Sequence, residues 1–204
     1  MKNNNFETVS KFENKISLFF NAPFVVTTDC CTHAIELCLR ELKPKKLSIP
    51  KHTYLSIPMT AKKLQIPWEW NSDKWINFYN MTPQIIDAAV FWKENGYIPG
   101  TFMCLSFQYK KHLNLGRGGA ILFDDKKYLD KFQKLSYDGR SRNLPWAEQN
   151  ISEIGYHYYM TPETAKLGIK KIKKAIKKEP KVWSYADYPD LTKLNIFSKD
   201  VFGE

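Results

Sequence analysis

The sequence predicts an α/β fold whose central sheet is mostly parallel and buried on both faces by flanking helices, on three observations. Short apolar runs of strand length recur at 47–50, 66–70, 85–89, 104–107 and 119–123. Helical or turn segments separate and follow them. The chain has 204 residues, of which 43% are hydrophobic and 25% charged, enough for one core of real size and too apolar for intrinsic disorder.

Each element has a local reason. Residues 16–26 carry Ile, Leu, Phe and Val around Asn21, Ala22 and Pro23, which reads as a helix end, a turn and an apolar entry, after a polar lead over residues 1–15. Residues 32–43 are helical: Ala34, Ile35, Leu37, Cys38, Leu39 and Leu42 form a broad apolar face, and Pro44 lies just beyond the end. Thr27, Thr28, Asp29 and Thr32 offer capping oxygens upstream. Residues 71–83 show no period, a helix is expected over 126–135, and 137–150 reads as a polar loop. A last helix begins near Thr161, where Thr161, Pro162 and Glu163 fit an N-cap, a proline at the first helical position and an acid in the first turn. The expected organisation is a domain over 1–178 and a short tail over 179–204.

Charge and cysteines narrow the function classes. Lys plus Arg total 31 against 21 acids, a formal charge of +10, which raises nucleic acid or anionic small molecules as partners. Eight lysines fall between Lys166 and Lys181, and they alternate with Ala165, Gly168, Ile169, Ile172 and Ile176 at helical spacing, as on a solvated face of an amphipathic helix. No zinc-finger or RRM signature accompanies them, so nucleic acid is not the expected partner. Cys30, Cys31, Cys38 and Cys104 lack metal-site spacing and read as reduced, mostly buried thiols of a cytoplasmic protein, with no metal expected. Neither a signal-peptide core nor an apolar run of membrane-spanning length is present.

The familiar phosphate-loop, dinucleotide, zinc-protease and serine-hydrolase motifs are missing. What stands out is the run from Ser106 and Phe107 through Lys110, Lys111 and His112 to Gly116, Arg117, Gly118 and Gly119: a serine and a lysine five residues apart after a buried strand, then a Gly-rich turn into the next. This run resembles the lysine segment of the DegT/DnrJ/EryC1/StrS family of pyridoxal-phosphate sugar aminotransferases, in register without a gap. Four other segments resemble that family's motifs in the same order: Thr32 to Leu39, Ile49 to Tyr54, Ile85 to Ala89, and Gly155 to Thr161 with the helix through Gly168.

The resemblance implies a fold-type-I transferase-like large domain, reduced in size and lacking most of the family's C-terminal domain. It implies pyridoxal 5'-phosphate as cofactor, held as an internal aldimine on Lys111, with Asp87 against the ring nitrogen. Thr32 and the His33 amide would hold the phosphate with Ser106, Tyr54 would stack on the ring, and His157 would stand where the family has an Asn that reaches a partner subunit's phosphate. Physical chemistry suits these roles. A helix N-terminus offers free amides and partial positive charge to a phosphate, an acid beside a pyridine nitrogen keeps it protonated, and a released lysine amine can shuttle a proton. Taken singly, Lys111 reads as surface charge, Asp87 as a loop acid, Thr32 as a helix cap, Tyr54 as core filler and Ser106 as a backbone cap.

The pattern also departs from the family. Val90 replaces a polar residue that touches the cofactor, Tyr159 an arginine, and Cys31 a glycine before Thr32. Residues 71–84 are too few for a full crossover unit. The expected activity is transfer of an amino group from an amino acid, glutamate foremost, to a keto-sugar nucleotide, in a homodimer. The alternatives are a dehydratase of the same family, or a non-catalytic protein that binds the cofactor or nucleic acid.

Overall fold

The computed structural model describes residues 6–198. Seven strands and six α-helices follow the order α1 (Phe6–Phe20), β1 (Phe24–Thr28), α2 (Cys31–Leu42), β2 (Leu47–Pro50), α3 (Ser56–Lys63), β3 (Trp68–Asn71), β4 (Tyr79–Asn80), β5 (Ile85–Asp87), β6 (Phe102–Ser106), β7 (Gly119–Phe123), α4 (Lys127–Leu135), α5 (Pro162–Ile176) and α6 (Asn195–Ser198). Most of these were expected within a residue or two. The polar lead is the main exception, since α1 begins at Phe6 and buries Val9, Phe12 and Ile16. A single apolar stripe spaced three to four residues apart among polar neighbours is enough for a helix that packs on one side.

Five strands form one sheet in the order β1-β7-β6-β5-β4, and β2 pairs with β3 in a second. The amide of Ser48 bonds the Met81 carbonyl at 3.0 Å, so the small pair lies beside the end of β4. The α/β class holds, but the expectation of a mostly parallel sheet does not. Only β5 with β6 and β2 with β3 run parallel, whereas β1 with β7, β6 with β7, and β4 with β5 are antiparallel. Connection length explains the largest part of this. Parallel neighbours need a crossover, usually a helix, and the link between β6 and β7 is an irregular loop through Gly116 and Gly118.

Both faces of the main sheet are buried, as expected. Alternate residues divide between two cores. Val25, Met103, Leu105 and Leu122 meet α1 and α5 through Phe12, Ile16, Phe20 and Ile172. Val26, Cys104, Ile121 and Phe123 meet α2 and α4 through Ile35, Leu37, Cys38 and Phe132. α5 starts as read: Thr161 is its N-cap, accepting from the Thr164 amide at 3.3 Å, with Pro162 next.

The segment after α5 packs back on the body. Short 3₁₀ turns at Tyr185–Asp187 and Leu191–Lys193 precede α6, and Leu191 is buried. The Leu191 amide bonds the Lys51 carbonyl at 2.9 Å, and Trp183 and Asn77 exchange two bonds, Asn77 N–H to the Trp183 carbonyl at 2.8 Å and Trp183 N–H to Asn77 Oδ1 at 3.0 Å. This segment therefore ties down residues 75–78, the stretch in which the sequence showed no period.

Candidate functional site

At one end of the sheet, the ends of β5 and β6 and the N-terminus of α2 surround a cavity of ≈ 620 Å³. Thr32, Tyr54, Asp87, Ser106 and Lys111 all line it. The polypeptide brings them together because β5 delivers Asp87 at its last residue, β6 delivers Ser106 at its last residue, and the loop that follows carries Lys111.

The floor is the first turn of α2. Its N-cap, Cys30, provides no side-chain bond to the turn, so the amides of Cys31, Thr32 and His33 lack helical acceptors. Thr32 Oγ1 and Ser56 Oγ pair at 2.9 Å beside them. β7 approaches this turn very closely: a Cβ on Gly119 would lie 2.4 Å from the Cys30 carbonyl carbon and 2.5 Å from the Cys31 nitrogen. Only glycine fits there, and the contact fixes how the helix end sits over the strand ends. Cys31, where a larger side chain threatened to hold the backbone away, turns its thiol inward toward the Cys104 carbonyl at 3.5 Å.

Asp87 is 6% exposed. Its Oδ2 accepts from the Tyr79 hydroxyl at 2.6 Å and its Oδ1 from the Ala89 amide at 3.0 Å. Tyr79 in turn pairs with Thr53 Oγ1 at 2.5 Å. Burial pushes the Asp87 carboxyl above its ordinary range, against the Tyr79 and Ala89 bonds and the Lys111 charge, which all favour the carboxylate. Burial also pulls the Lys111 amine below the usual lysine range, opposed by the charge of Asp87. A desolvated acid and a desolvated amine thus face one space, each short of the hydration that it would have in water.

The remaining sequence candidates lie elsewhere. The His33 ring stacks on Tyr158 at 3.6 Å and its Nδ1 pairs with Asp29 Oδ1 at 2.6 Å; the side chain does not line the cavity, although its amide belongs to the α2 floor. His157 is largely exposed, pairs with Asp138 at 2.9 Å, and lies outside the cavity wall. Asp29, Cys30 and His33 gather their donor atoms within 4.8 Å of one another, a geometry that could hold a metal ion. However, Arg117 already occupies Asp29 Oδ2 at 2.7 Å, and a guanidinium at that point suits an anion better than a second cation.

Several cavity residues were not foreseen. Tyr79 sits in the stretch without a period, and Trp183 and Tyr188 come from the expected tail. Arg117 was within reach of the sequence, being the one charged residue of the Gly-rich turn. Lys111 Nζ lies 5.3 Å from the Trp183 ring centroid.

No curated protein sequence matches this chain. Residues 93–185 match the model of the DegT/DnrJ/EryC1/StrS aminotransferase family. Among solved structures, AtS13 from Actinomadura melliaura is similar at 17% identity with a TM-score of 0.75, over 84% of this chain and 61% of that one. Spr1654 of Streptococcus pneumoniae in its PLP form matches at 18% identity and TM-score 0.69, over 83% and 60%. The sugar aminotransferase CalS13 from Micromonospora echinospora matches at 13% and 0.68, over 83% and 61%. The chain spans about three fifths of the length of these proteins. By sequence over residues 93–185 this chain is similar to the DegT/DnrJ/EryC1/StrS aminotransferase family, and over most of its length it shares the fold of these solved structures.

Proposed function

We propose that this protein binds pyridoxal 5'-phosphate in the cavity and catalyses transfer of an amino group from an amino acid, glutamate foremost, to a keto acceptor, a keto-sugar nucleotide. The observation that carries this reading is the pairing of a buried carboxyl, Asp87, with a desolvated amine, Lys111, across a cavity floored by a helix N-terminus. The donor set fits that cofactor. Free amides with Thr32, Ser56 and Ser106 suit a phosphate dianion, and a buried acid with an accepting lone pair to spare suits a protonated ring nitrogen. When bound, the cofactor supplies a carbonyl for the lysine and an electron-withdrawing ring.

The chain's own residues do the rest. Lys111, pulled below the usual lysine range by burial, keeps more of its amine unprotonated near neutral pH than a surface lysine. It can therefore attack a carbonyl and afterwards carry a proton to or from the substrate's α-carbon. Asp87 would hold the ring nitrogen of the bound cofactor in its protonated form, and Tyr79 and the Ala89 amide hold the carboxylate in place for it. Trp75 and Trp183 line the cavity with the amine, whose Nζ lies 5.3 Å from the Trp183 ring centroid, and this apolar lining contributes to its desolvation. The basic surface suits phosphate-bearing substrates, and we read the protein as a cytoplasmic homodimer, with His157 directed to the partner subunit's site. The free cysteines agree with a reducing compartment, and among the described residues no helix is long and apolar enough to cross a membrane.

An absorbance titration with pyridoxal phosphate tests the reading. A new band is expected, lost in Lys111→Ala and discharged by an amino donor. Retention of the band in Lys111→Ala sinks the assignment of the lysine. A band that no amino acid discharges moves the protein to the binding-only reading.

A further inference from the structure

The wall of the cavity opposite the α2 floor is built from two segments far apart in sequence, residues 75–79 and 183–188. Tyr188 is the most constrained side chain of this wall. Its backbone carbonyl accepts from His52 Nδ1 at 2.9 Å and its amide bonds the Tyr185 carbonyl at 3.2 Å. Its ring packs on Trp75 at 5.4 Å and Trp183 at 6.2 Å. With the backbone and ring so fixed, little freedom remains beyond rotation of the O–H bond.

That hydroxyl has no hydrogen-bond partner among the described residues, whereas Thr32 is paired with Ser56, and Thr53, Tyr79 and Asp87 are joined in one chain of bonds. Burial, with Asp87, Asp187, Cys31 and Tyr54 around it, holds the phenol well above its ordinary range and so keeps it neutral and able to donate. Val90, also in the wall, offers no polar atom. A fixed donor with no acceptor, facing the space between an acid and an amine, is preorganised for a ligand rather than for the fold.

We infer that Tyr188 is a ligand-binding residue of this site, its phenol donating a hydrogen bond to pyridoxal phosphate held between Asp87 and Lys111. This rests on the cofactor reading above. It assigns a binding role to the segment after α5, which Trp183 and its reciprocal bonds to Asn77 clamp against the body.

Tyr188→Phe removes the donor and leaves the ring that packs on Trp75. Dissociation constants for pyridoxal phosphate, from absorbance, and for inorganic phosphate, from calorimetry, are measured on the wild type and this variant. The expected result is about tenfold weaker binding of pyridoxal phosphate, the scale of one hydrogen bond in a site of this kind, with phosphate binding and the thermal midpoint of the ligand-free protein unchanged. Equal weakening for both ligands marks a disturbed cavity and overturns the inference. So does an unchanged affinity for pyridoxal phosphate, which leaves the cofactor reading standing. If the wild type itself binds no pyridoxal phosphate, the cofactor reading falls and Tyr188 loses this ligand with it.

Discussion

Replacing Gly119 by alanine tests whether the close approach of β7 to α2 shapes the site. The added Cβ would meet the Cys30 carbonyl carbon at 2.4 Å, the Cys31 nitrogen at 2.5 Å and the Cys30 oxygen at 2.6 Å. These are backbone atoms, so no side chain can swing away, and ordinary contact requires the first turn of α2 to retreat by about 1 Å. Overpacking of this kind costs about 1–3 kcal/mol, which in a domain of this size lowers the thermal midpoint by about 3–10 °C. The effect on the ligand should be larger. A retreat of about 1 Å would take the amides of Cys31, Thr32 and His33 out of hydrogen-bond range of a phosphate that Ser106 would hold from the strand side. Loss of two charge-assisted bonds at about 1.5–3 kcal/mol each weakens pyridoxal phosphate by about a hundredfold or more. Gly100→Ala is the control. Gly100 has φ +77° and open space around it, so alanine there costs only about 1–2 kcal/mol of backbone strain and leaves the affinity alone. Differential scanning calorimetry and absorbance titration read the two effects. A Gly119→Ala protein that binds the cofactor as tightly as the wild type would falsify the link between this contact and the phosphate floor.

Two further predictions concern other charged pairs. Glu13 is 5% exposed and accepts from the Thr27 amide at 2.8 Å, Thr27 Oγ1 at 2.9 Å and Arg142 Nη1 at 3.0 Å. Arg142 Nε and Nη2 have no hydrogen-bond partner among the described residues, and the guanidinium lies 5.0 Å from the Phe6 ring centroid. Glu13→Gln leaves a buried guanidinium uncompensated, at a cost of about 3 kcal/mol or more and a fall of about 6–12 °C in thermal midpoint; a fall of under about 2 °C in calorimetry refutes the buried pair's importance. For His33, burial opposes protonation, and the bonds to Asp29 and Cys30 outweigh it, raising its pKa from 6.5 to about 9. A raised histidine pKa adds stability that is complete below the unfolded value and disappears as pH rises through the folded one. The wild type should therefore exceed His33→Gln in unfolding free energy below pH 6.5, with the difference shrinking through about pH 9. Chemical denaturation at stepped pH reads this, and a pH-independent difference contradicts it.

What the sequence could determine by itself was local. α2, α4, β2 and β7 appear where composition and period place them, and Thr161 caps α5 because capping chemistry is a matter of three or four adjacent residues. Thr32, Asp87, Ser106 and Lys111 were singled out by resemblance to the family's ordered segments, and they line one cavity because the first three stand at the end of a strand or the start of a helix, and Lys111 in the loop after β6.

Tertiary structure decided what depends on distant segments. The antiparallel setting of β7 follows from an irregular loop in place of a crossover helix, and hydrophobic runs alone carry no direction. Tyr79 meets Asp87 through a two-residue strand too short to show a period. Trp183 and Tyr188 reach the cavity only because residues 183–191 bond to Asn77, His52 and Lys51, more than a hundred positions upstream. Pairings of that range leave no local pattern to read. Thr32, Asp87, Ser106 and Lys111 stood out in the sequence only as a set, through five family-like segments in order, but the wall that closes the cavity exists only in the folded chain.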